Sequence, residues 1–233
     1  MGLYDRNYQG REIAQDMAFE SESALVGFVK TTYKFFAASL LLATIGAIVG
    51  LMNFEIVVNP AVRIGIFVAE IAALLALMFL RSSPGLNVAL LFVFTFLTGV
   101  ALVPLLGYVI SKQGLSAVWQ ALGMTTIVFG AMSIFAIKTK ADLGNMGKML
   151  FIALIVVIVC SLVNVFFLHS TPMMAAISGA CVILFSLYTA YDTQNIIRGR
   201  YDSPIMAVIS LYLDFLNIFI SLLQLIGIFG KDD

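Results

Sequence analysis

Seven stretches of this chain are each long and apolar enough to cross a bilayer, and they leave little polypeptide for anything else. They run over residues 33–52, 62–81, 86–110, 116–137, 148–168, 173–197 and 205–229. A spanning helix needs about 20 apolar residues, and the backbone in lipid must satisfy its own hydrogen bonds. Only 11% of the 233 residues are charged, against about 25% in a soluble domain. The expectation is an all-α integral membrane protein, a bundle of seven transmembrane helices. The breaks carry turn chemistry: Asn59-Pro60, Ser82-Ser83-Pro84-Gly85, Lys112-Gln113-Gly114, Lys138 to Gly147, Ser170-Thr171-Pro172 and Arg198 to Pro204. Short connections predict one transmembrane domain over residues 31–233, preceded by a polar, partly helical tail over residues 1–30. That tail has neither the apolar core of a signal peptide nor, with Arg6, a myristoylation motif. Net charge is zero and no basic stripe is present, so no nucleic-acid partner is expected.

Lysine and arginine set the expected orientation. The tail and the alternate loops on its side hold ten of them: Arg6, Arg11, Lys30, Lys34, Arg81, Lys138, Lys140, Lys148, Arg198 and Arg200. The opposite side holds Arg63, Lys112 and Lys231. The positive-inside bias places the N-terminus in the cytoplasm and the C-terminus outside, as an odd number of spans requires.

Within these spans two residues are out of place. Asp192 lies in SLYTAYDTQNI and Asp214 in SLYLDFLNIFI. A carboxylate at the centre of a membrane helix costs about 2.5–3.5 kcal/mol even on lenient scales, and such residues usually serve function. Counting 1.5 Å per residue from the loop that joins the last two spans, Asp192 sits roughly 9 Å deep and Asp214 roughly 13 Å. Consecutive helices are natural neighbours, so the carboxyl groups can meet. Each aspartate also belongs to a polar stripe at three- and four-residue spacing: Ser178, Cys181, Tyr188, Asp192 and Asn195 on the sixth span, and Asp214, Asn217, Ser221 and Gln224 on the seventh. Lipid rejects such faces, so they should turn inward as cavity lining or as interhelical hydrogen bonds. Touching carboxyls cannot both ionise easily and titrate as a coupled pair. A shared proton holds the two helices together; its loss favours separation or a cation. The pair can therefore serve as a proton-sensitive latch, a cation site, or both.

The second span supplies candidate partners. Arg81 closes it on the aspartates' side and is either their counter-ion or a headgroup anchor. Glu70, about 16 Å deeper, is expected to face the interior. Cys160 and Cys181 read as small buried hydrophobes, and with His169 as the single histidine no metal-ligand spacing exists.

The LYTAYDTQNI run, followed by SLYLDFLNIFISLLQLIGIFG and the Lys231-Asp232-Asp233 end, resembles the transmembrane Bax inhibitor motif family, especially its bacterial members. The resemblance covers all seven spans and includes Glu70 with Arg81 eleven residues later, and the FTFLTGVALVPLL stretch of span three. It implies a seven-helix fold with the last helix central, a proton-sensitive calcium-leak channel in the bacterial inner membrane, Asp192 and Asp214 as the pH-sensing gate contacted by Arg81, and Glu70 in the central cavity. Tyr188, Asn195, Asn217 and Ser221 are expected to line the path. No cofactor is expected; Ca2+ is the transported ion, and the bilayer, Ca2+ and protons are the partners. The protein is then not an enzyme. Three other readings fit parts of the pattern. An intramembrane aspartyl protease also needs two carboxyls, but Asp214 follows Leu211-Tyr212-Leu213 rather than a Gly-rich turn. A proton-coupled small-solute transporter fits the carboxylates but lacks an inverted repeat. An interaction protein would act through its polar tail.

Overall fold

The computed structural model describes residues 3–80, 83 and 85–230, with side chains from residue 22 onward. It is helical throughout these residues. The elements are α1 (Leu3–Met52), α2 (Phe54–Val57), α3 (Pro60–Phe79), α4 (Leu86–Ala101), α5 (Val103–Gln113), α6 (Leu115–Lys138), a 3-10 turn (Leu143–Met146), α7 (Gly147–Val163), a π turn (Asn164–Leu168), α8 (Thr171–Ile197) and α9 (Pro204–Phe229). Seven membrane-length units result, with α4 and α5 together forming the third and α7 with its π turn the fifth.

The turn residues read from the sequence act as helix starts. Asn59 Oδ1 accepts from the Ala61 N–H, Ser170 Oγ from Met173 and Ser203 Oγ from Ile205, with Pro60, Pro172 and Pro204 in the first turn of their helices. Such residues satisfy an orphan N–H, and proline there gives up none that the helix needs. The third span is made of two helices. It breaks at Leu102 because Pro104 lacks an N–H and its ring crowds the carbonyl four residues back. The first span differs from expectation. The polar stretch and the apolar stretch form one continuous helix, and the unit from Glu22 to Met52 has 31 residues. At 1.5 Å per residue it is roughly 46 Å long, beyond a hydrocarbon core of about 30 Å.

Loops alternate between the two ends of the bundle. Asp142, between α6 and α7, is ion-paired with Arg198 and Arg200 between α8 and α9, and Leu25 of α1 stands beside Gly199. At the other end Phe54 packs on Gly107, and the Gln113 side chain on Gly230. Helix α9 is the centre: 67% of its most apolar window is buried, against 11–33% for the other spans. Phe36 of α1, Phe129 of α6 and Phe215 of α9 stack within 5.2–6.1 Å of one another, and Phe94 of α4 meets Tyr212 of α9 edge-on at 6.0 Å. Helices α3 and α7 present Phe67, Ile71, Phe151 and Ile155 outward, as lipid-facing helices do.

Helices α1 and α4 cross with backbones in contact. A Cβ on Gly99 would meet the Ala43 carbonyl, and one on Gly46 the Phe96 carbonyl. Backbone atoms cannot step aside as a flexible side chain can. Gly99→Ala should destabilise the protein by about 1–3 kcal/mol, whereas Gly123→Ala, which meets nothing within 4 Å, should be neutral or mildly stabilising. Thermal unfolding in detergent, followed by helical circular dichroism, separates the two; equal midpoints would remove Gly99 from this role.

Candidate functional site

Asp192 sits just over one turn before the end of α8 and Asp214 in the third turn of α9, and α8 and α9 are packed neighbours. The two carboxyl groups lie within hydrogen-bonding reach of each other. Asp192 is 5% exposed and Asp214 3%. Asp192 Oδ1 accepts from the Tyr201 hydroxyl at 2.8 Å. Asp214 Oδ2 is buried and receives no hydrogen bond from a donor among the described residues. Depth and facing, inferred above from rise and spacing alone, thus meet in one contact.

The rest of the two stripes divides. Ser178 Oγ donates to Gln224 Oε1 at 2.8 Å, so α8 and α9 are joined by a polar contact toward the far end as well. Tyr188 is half-buried and packs between Phe185 and Tyr191. Asn217 Nδ2 turns back to the Leu213 carbonyl of its own helix at 2.7 Å. Asn195 accepts from Arg200 Nη1 at 3.2 Å and belongs to the loop structure rather than to the aspartate contact.

Glu70 stands apart from the pair. It lines a cavity of about 400 Å³ between α3 and the α4–α5 break, with Arg63 and Pro104. The hydroxyl of Tyr212, on α9, is bonded to that of Thr98. Arg81, read as the counter-ion, lies outside the described residues. No group of three or more His, Cys, Asp or Glu side chains gathers anywhere among the described residues.

Four site residues escaped the sequence reading: Tyr201, Gln194, Asp142 and Arg200. Arg200 holds Asp142 with both oxygens, at 2.7 and 3.0 Å, and Arg198 adds a contact at 3.0 Å. Gln194, 1% exposed, accepts from the Leu143 N–H at 2.7 Å and donates to the Ala141 carbonyl at 2.9 Å. Gly199, at φ +64°, turns the chain out of α8, and the Arg200 N–H bonds back to the Asn195 carbonyl at 2.9 Å in a helix-ending motif that suits glycine. The end of α8 is therefore tied to the loop before α7 by side chains that follow Asp192 in the chain, Gln194, Arg198 and Arg200. The only prior signal was compositional: an Asp in one short loop, two Arg in another on the same side.

The chain is similar to known proteins along most of its length. A family described as "Inhibitor of apoptosis-promoting Bax1" matches residues 25–231. A protein of Helicobacter pylori (strain ATCC 700392 / 26695) is 65% identical over 233 residues, all of both chains. The inner membrane protein YbhL of Escherichia coli (strain K12) is 35% identical over 182 residues, 72% of this chain and 76% of YbhL. A BI1-like protein of Arabidopsis thaliana is 31% identical over 208 residues, 86% and 80% of the two chains.

The Asp142 cluster makes a prediction of its own. The Arg200 guanidinium, with the Gly144 N–H, holds the Asp142 carboxyl down from the usual 3.8 to about 2. A carboxyl depressed in the folded state stabilises that state above its unfolded value, and the contribution is lost as pH falls through its folded value. Asp142→Asn should therefore lower the thermal midpoint at neutral pH, by a margin that is constant down to about 4 and shrinks toward pH 2. A margin unchanged at pH 2 would show that charge is not what the clamp uses.

Proposed function

Since the chain belongs to the Bax inhibitor-like family of membrane proteins, we propose that it is a passive, proton-sensitive cation leak carrying Ca2+, with Asp192 and Asp214 as sensor and gate. The observation that carries this reading is the contact of two buried carboxyl groups on adjacent helices in the heart of a membrane bundle. With one proton between them they hold α8 to α9. With none, two full negative charges about 4 Å apart repel by roughly 4 kcal/mol at an effective dielectric of about 20, enough to shift a two-state equilibrium near a thousandfold. Separation of the helices or entry of a cation relieves that repulsion.

Ca2+ prefers hard oxygen ligands and takes six to eight of them. Two carboxylates supply part of that shell, and water and neighbouring hydroxyls would complete it. A shell of this kind suits an ion in passage better than one held in place. The far-end contact Ser178–Gln224 would keep the helices joined while the aspartate end responds. In this reading the aspartates bind and sense protons and catalyse no bond cleavage. The loop-rich end with Arg198 and Arg200 faces the cytoplasm of a bacterial cell, and Arg81 acts as counter-ion at the same end.

Ca2+ entry into proteoliposomes, followed with a trapped indicator across a pH series, tests the proposal. The native protein should give a pH-dependent leak, and Asp192→Asn and Asp214→Asn should each flatten the pH response. Uptake against a concentration gradient would indicate a transporter instead. An unchanged pH profile in both variants would sink the gate.

A further inference from the structure

We propose that Tyr201 is the hydrogen-bond donor that tunes the proton affinity of the aspartate pair, and that the Arg200–Asp142 clamp is the device that positions it. This rests on the reading of Asp192 and Asp214 as one proton-sharing pair, but not on which ion the protein carries. Tyr201 lies in the loop between α8 and α9, outside both spans, yet its phenol reaches back to Asp192 Oδ1 at 2.8 Å. That hydrogen bond makes the pair unequal: Asp192 receives an O–H donor, and Asp214 Oδ2 receives none. A donor to a carboxylate favours its charged form. The phenol thus helps decide at what pH the pair gives up its proton.

The donor is dependable. Burial and the neighbouring Asp192 charge push the Tyr201 phenol above its ordinary range, so it keeps its proton wherever the aspartates titrate. Its position is imposed by the adjacent residue. Arg200 is fixed by two bonds to Asp142 and one to Asn195, and Gln194 ties the same stretch of α8 to the backbone at Ala141 and Leu143. A loop pinned at Arg200 leaves Tyr201 little freedom. Opening the clamp would release the phenol and change the proton affinity of the pair from outside the membrane.

Other titratable groups around the pair are few. Helix α8 contributes Tyr188, which feels both aspartates, and Tyr191 beside it. Helix α1 contributes Tyr33, turned to Thr193. Helix α3 contributes Glu70, which lines the cavity that also holds Arg63. The loops contribute Asp142, Arg198 and Arg200, and the exposed Asp202 next to Tyr201 in the chain. Helices α4 and α6 bring only hydroxyls to this region among the described residues, Thr95 and Thr98 from α4 and Ser133 against Thr193 from α6.

Infrared-monitored titration of the carboxyl C=O band in the full-length reconstituted protein reads the pair without reference to transport. Asp192→Asn and Asp214→Asn identify the band. Tyr201→Phe, which removes one oxygen and keeps the ring, should move its midpoint upward by about one pH unit, the worth of a hydrogen bond to a charged group. Asp142→Asn should move it the same way by less, and Asp142→Arg with Arg200→Asp should bring it back. A Tyr201→Phe midpoint equal to that of the native protein overturns the proposal. A shifted midpoint in a protein that passes no Ca2+ leaves this inference standing and fails the leak. A pH-dependent leak whose profile and carboxyl band ignore Tyr201→Phe does the reverse.

Discussion

Everything in this bundle is arranged around a contact that lipid would not permit. Asp192 and Asp214 are tolerable in a membrane only if they face each other and away from hydrocarbon, with a proton or donor between them. This requirement fixes which faces of α8 and α9 are joined. It draws α9 to the centre, where it is walled by α1, α4, α5, α6 and α8, and it leaves α3 and α7 at the rim. The aromatic cluster of Phe36, Phe129 and Phe215 then packs one residue along from Asp214, so the most charged point of the interior adjoins one of its best-filled apolar regions. A carboxyl pair in such surroundings is sensitive to each donor it has, because few are at hand to replace a lost one.

The two ends of the α8–α9 pair are built differently. Toward the far end, a neutral hydrogen bond joins them, Ser178 to Gln224. Such a contact does not change with pH in the physiological range. At the loop end the contacts are ionisable or ionic, and they involve other loops as well as the two helices. A helix pair held by a constant bond at one end and by titratable ones at the other is suited to pivot and not to slide. The family to which this chain belongs spans bacteria and plants in the relatives described here, and the aspartate motifs lie within the matched region.

Much of this was legible beforehand, for definable reasons. Span number followed from apolar length, because the bilayer imposes a thickness. The facing of the aspartates followed from helical spacing, and their similar depth from a fixed rise per residue. Helix starts at Asn59, Ser170 and Ser203 followed from capping chemistry. What failed had equally definite causes. The polar stretch before the first span is continuous with it, since nothing in the sequence there stops a helix. Asn195 and Asn217 share the stripe's spacing but not its partners: one is taken by Arg200, the other by its own backbone carbonyl. Spacing says which face a residue is on, not what it bonds.

By itself, then, the sequence determined a seven-span helical bundle and the pairing of two carboxyls inside it, because hydrophobic length, helical pitch and the cost of charge in lipid are local properties that any fold of this chain must obey. Only the tertiary structure decided what surrounds the pair. That Tyr201 donates to Asp192, that Asp214 Oδ2 lacks a donor, and that Asp142 anchors Arg200 from a loop 58 residues away in sequence are matters of distance between segments. Hydrogen bonds and ion pairs act only over a few ångströms, so no periodicity along one helix can encode which loop will arrive there.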